Sequence, residues 1–95
     1  MENFFQYDSR LMIKLPKPNI PWESLNHQTK EQIMAKWESI RGNIPDRIAE
    51  IEKQIEQKQE ELNNEDNFDY SCQLTEEIAN LASKINDLWL WFRSE

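Results

Sequence analysis

Chemistry at a protein site needs groups that attack, hold a metal or move a proton, and this chain has few of them. It contains one histidine, His27, and one cysteine, Cys72. Neither a zinc cluster of ordinary His and Cys ligands nor a Cys-His nucleophile pair can therefore be assembled within one copy. Cys72 falls near the start of an expected helix, where the helix dipole favours a thiolate, but the nearby carboxylates of Asp66 and Asp69 oppose that ionisation. It reads as a small packing residue, and His27, just ahead of another helix, as a surface residue. Glu65, Asp66 and Asp69 lack the ligand spacing, central glycine and final glutamate of a calcium-binding EF-hand loop. Glu76 and Glu77 are adjacent, hence splayed around a helix, and no Glu-x-x-His element accompanies them. With a single glycine, Gly42, a Gly-rich phosphate loop is ruled out. An enzyme for an anionic metabolite would need Arg10, Arg41, Arg47 and Lys58 to converge on one pocket. The expectation is no catalytic residue, no metal and no cofactor, with a small helical metabolic enzyme as the least favoured reading.

The elements that would carry any site are more legible. Ile44, Ile48, Ile51, Ile55 and Leu62 follow a 4-3 spacing interrupted only by Lys58, and Leu74, Ile78, Leu81, Ile85, Leu88 and Phe92 follow a second. Each ladder averages 3.5 residues per repeat, the period of a coiled-coil seam. Folding the chain about the polar stretch Asn63 to Asn67 sets Leu62 against Leu74, Ile55 against Leu81, Ile51 against Ile85, Ile48 against Leu88 and Ile44 against Phe92. Each layer then pairs an a-type with a d-type position, as antiparallel helices require. An antiparallel, coiled-coil-like helical hairpin of about 45–63 and 71–93 follows, with Asp69 or Ser71 as cap of its second helix and Arg93 suited to that helix's C-terminus.

Ahead of the hairpin, Thr29 with Gln32 fits a capping box, and Ile33, Met34, Trp37 and Ile40 lie on one side of a helix of about 27–41 that Gly42 can end. Pro45 suits the first turn of the next helix, and Gly42, Asn43 and Pro45 together favour a break over a kinked continuous helix. Residues 1–22 read as an extended arm. Pro16, Pro18 and Pro21 exclude a helix there, and Leu11, Ile13 and Leu15 alternate like one face of a strand. The fold class expected is all-α, one small helical domain over 1–95, with an arm at 1–22 and three helices within 23–95.

Charge and composition narrow the partners. The net charge of −7 is uneven: residues 1–45 hold six Lys or Arg against five acids, and residues 46–95 hold five against thirteen. A polyanionic nucleic acid or an anionic membrane is met by clustered cations, so direct binding of either is not expected. The beginning, Met1 to Ser9, carries acid rather than a basic region followed by an apolar core, and no long apolar span occurs, which points to a soluble, cytoplasmic protein.

The strongest interaction signal is the end Leu88-Trp89-Leu90-Trp91-Phe92. Leu88 and Phe92 belong to the seam, whereas Trp89, Leu90 and Trp91 point around the rest of the helix and need cover. The first candidate cover is Phe4, Phe5, Tyr7, Trp22 and Trp37 as an aromatic cluster; the second is a partner. Partner-binding residues are accordingly expected at Trp89, Leu90 and Trp91 and on the arm at Leu11, Ile13 and Leu15, with Lys58 controlling seam register. The function expected is a non-catalytic adaptor or regulator that binds a protein partner and forms a homodimer. An acidic inhibitor or nucleic-acid mimic that occupies a basic groove on another protein is the alternative.

Overall fold

The computed structural model describes residues 4–93; the outermost parts of the expected arm and of the chain's C-terminal end, 1–3 and 94–95, lie outside the described residues. The chain divides into two compact units, one ending at Asn43 and the other starting at Ile44.

The first unit opens with an antiparallel hairpin of two strands, β1 (Phe5–Asp8) and β2 (Ile13–Pro16), with Phe5 opposite Pro16 and Asp8 opposite Ile13. This corrects the all-α expectation: the chain is mostly helical and carries a small sheet. The arm is extended as its prolines and alternating residues require, but it doubles back on itself. The reversal is built by Asp8, whose carbonyl accepts from the Met12 amide at 2.6 Å while its Oδ1 accepts from the Leu11 amide at 2.9 Å. Met12 sits at φ 60°, a left-handed conformation uncommon for a side chain of its type. Leu11 therefore belongs to the turn and not to the strand, and it is buried with Phe5 in the core of this unit. The amide of Lys17 donates to the Phe4 carbonyl and extends the pairing past Pro16, which has no N–H of its own to give. A 3₁₀ turn, Trp22–Ser24, then leads to helix α1, His27–Gly42.

Helix α1 is capped by Asn26, whose side chain accepts from the Thr29 amide at 2.7 Å. Thr29 is thus the third residue of the helix and not its cap. A side-chain oxygen placed there satisfies one of the amides that a helix start leaves without a partner. Ile33 is buried, Trp37 and Ile40 are half-buried, and Met34, one step off that stripe, is exposed. The helix ends at Gly42; Asn43 is the one residue before the next begins.

The second unit is a helical hairpin of α2 (Ile44–Asn63) and α3 (Phe68–Arg93) joined by four residues. Pro45 and Asp46 occupy the first turn of α2, where a missing N–H is harmless and a negative charge meets the positive end of the dipole. Helix α3 starts earlier than Asp69 or Ser71 would place it. Asn67 caps it, with Oδ1 accepting from the Tyr70 amide at 3.1 Å and its carbonyl accepting from the Ser71 amide at 2.9 Å. The core of the hairpin is the two ladders: Ile44, Ile48 and Ile51 on α2 and Leu74, Leu81 and Leu88 on α3 are buried, and the alternate positions Ile55, Leu62, Ile78, Ile85 and Phe92 are half-buried.

These caps and layers differ in weight. Ile51→Ala is expected to lower the unfolding free energy by about 2–5 kcal/mol, since it removes a buried side chain from the seam. Asn67→Ala is expected to cost about 1 kcal/mol through the lost cap. Urea denaturation of the full chain measures both, and equal losses would contradict the larger share of stability assigned to the seam.

Candidate interaction surface

Lys58 is the one charged side chain on either ladder, and α3 meets it with Glu77. Its Nζ donates to Glu77 Oε2 at 2.8 Å, and both side chains are about two-thirds covered. Glu77 precedes Ile78, so the contact places the two ladders in the alignment that sets Lys58 beside the Ile78 layer. The lysine stem can lie along that layer while its ammonium leaves it at the flank. The same carboxylate accepts from Gln73 Nε2 at 3.5 Å, one turn earlier on α3. The hydrogen bond with Lys58 holds the Glu77 carboxyl below its ordinary value, against the smaller opposing effect of partial burial; the Lys58 ammonium is held above its own.

The remaining cations expected for an anion-binding pocket are not gathered around Lys58 within this unit. Arg47 lies eleven residues away on the same helix, about 16 Å along its axis, and its Nη1 pairs with Glu50 at 3.5 Å. Arg10 and Arg41 belong to the first unit. His27 is exposed with Nε2 2.9 Å from Glu31, and Cys72 is exposed. Among the described residues no group of three or more His, Cys, Asp or Glu is placed to hold a metal ion. Glu65 is used by the loop, its Oε1 accepting from the Asn67 amide at 3.0 Å.

An open polar groove runs beside Lys58 at the loop end of the hairpin. Gln54, Gln57, Glu61 and Asn64 line it from α2 and the loop, and Tyr70 supplies its aromatic wall from the first turn of α3.

The exposed apolar side chains mark the surface more sharply. At the far end of α3, Leu90 is 57% exposed and Trp89 37% exposed, with the Trp89 ring set edge-on to Phe92 at 5.4 Å between centroids. Trp91 is half-buried. The three residues thus fare differently: Trp89 rests on the seam's last aromatic, Trp91 is partly covered, and Leu90 stands on the side of the helix away from the seam. The first unit's aromatics do not share one fate either, because Phe5 is buried while Tyr7 and Trp22 are exposed. Of the arm residues singled out, Leu11 is buried at 2% exposure, and Ile13 and Leu15 are half-buried.

Two further exposed residues carry no signal in the ladder pattern. Phe68 is 78% exposed and Tyr70 39% exposed, both in the first turn of α3. The signal that could have found them is Asn67: taken as the cap, it starts the helix at Phe68, which lies off the seam, and sets Tyr70 one turn before Leu74 on the side that faces α2.

The pair of Lys58 and Glu77 gives stability a defined pH window. Glu77, lowered from 4.5, contributes stability that is present above that value and is lost as pH falls through its folded value; Lys58, raised from 10.5, contributes stability that is lost as pH rises through its folded value. Glu77→Gln is therefore expected to unfold at a lower temperature than the parent near neutral pH and to converge on it below the folded pKa of Glu77. Thermal melts across pH 2–8 measure this, and a gap unchanged at the acid end would refute it.

Among the described residues no helix is long and apolar enough to cross a membrane. Compared with protein-family models, curated proteins and solved structures, the chain matches none of them, so its own residues carry the functional reading.

Proposed function

We propose that this chain is a small, non-catalytic protein–protein interaction module, an adaptor or regulator working in the cytoplasm, and that it self-associates. The observation that carries the reading is the division of labour on α3. Its seam positions Leu74, Leu81 and Leu88 are buried, yet Phe68, Trp89 and Leu90 remain exposed on the same helix. Apolar side chains left in water by a helix whose packing face is already filled are a feature of contact surfaces.

A second reading has its own support. The hairpin half of the chain holds five Lys or Arg against thirteen acids, and the surface of α2 presents exposed Glu50, Glu52, Glu56, Glu60 and Glu61. Such a surface would suit a basic groove on another protein, as an acidic inhibitor or nucleic-acid mimic would use it. Salt separates the readings, because screening weakens contacts between exposed charges and leaves apolar contacts in place.

Static light scattering over a concentration series is expected to show mass rising above the 11.5 kDa of one chain, and Trp89→Ser with Leu90→Ser is expected to restore the single-chain mass without unfolding the hairpin. Partners captured on immobilised protein should survive a wash at about 1 M salt, where the Debye length is about 3 Å. Loss of all of them at that step, with a constant single-chain mass, would favour the acidic reading instead.

A further inference from the structure

We draw no further inference here: the strongest candidate, the open groove between Lys58 and Tyr70 at the loop end of the α2–α3 hairpin, is lined mostly by exposed amide and carboxylate side chains, and among the described residues no buried, unpartnered polar side chain points into it to show what it would hold.

Discussion

The seam between α2 and α3 is the constraint on which the rest of the second unit depends. Two ladders of period 3.5 run through helices that themselves turn every 3.6 residues, so the apolar stripe of each helix stays on one side only if the partner stays beside it. With four residues between Asn63 and Phe68, the partner within reach is the neighbouring helix, and the pairing is antiparallel. Burial of Ile44, Ile48 and Ile51 on one strip and Leu74, Leu81 and Leu88 on the other then decides which side of each helix faces outward. Everything available for contact is what the seam leaves over.

Within that seam the layer of Lys58 and Ile78 stands out. A leucine at 58 would complete the apolar ladder, but it would also make α2 a strip able to pair with another α2. In a parallel, in-register α2 pair Lys58 would face a second Lys58, with no carboxylate at that layer. Beside α3 it faces Glu77 at 2.8 Å. The polar layer thus adds selectivity to a contact whose stability comes from its neighbours, in keeping with the behaviour of single polar residues in helical seams. Its partial exposure keeps the desolvation penalty small, so the ion pair does not have to offset a buried charge.

The ladders were legible in the sequence because period and residue type agreed over many residues; the elements that were missed depend on single residues. Asn26 and Asn67 cap α1 and α3 through one hydrogen bond each, and competing candidates stood nearby in Thr29, Asp69 and Ser71. The strand hairpin was hidden for a different reason. Its turn contains no glycine or proline, and Met12 adopts a left-handed conformation that its residue type does not advertise. Asp8, which accepts two amides of the turn, was the only local hint. Leu11 then falls in register with Ile13 and Leu15 along the sequence but belongs to the turn in space. On α1, Met34 fails as a core residue because it lies one step from the stripe of Ile33, Trp37 and Ile40, and that stripe is too weak to draw it in. The exposed end of α3 was partly legible: Trp89 and Leu90 could be read as off the seam, but Phe68 could not until Asn67 moved the helix start.

The two helices of the hairpin therefore offer water two different surfaces. On α2 the outward positions are dominated by Glu, Gln and Lys, long side chains that hold water and repel another copy of themselves. On α3 the outward side is mixed: the exposed carboxylates of Asp69 and Glu76 share it with Phe68, Cys72, Ala79 and Leu90, and the apolar positions give up water at little electrostatic cost. A partner that is basic meets the first surface from a distance, through fields that salt screens within about a Debye length. A partner that is apolar meets the second only on contact. Because both surfaces are fixed by one seam, a change that shifts the register of α2 against α3 moves the two together. A one-residue slip of α3 about its own axis would carry Leu90 by about 100° and turn Phe68 by the same angle. The interaction capacity of the hairpin is in this sense a property of its core.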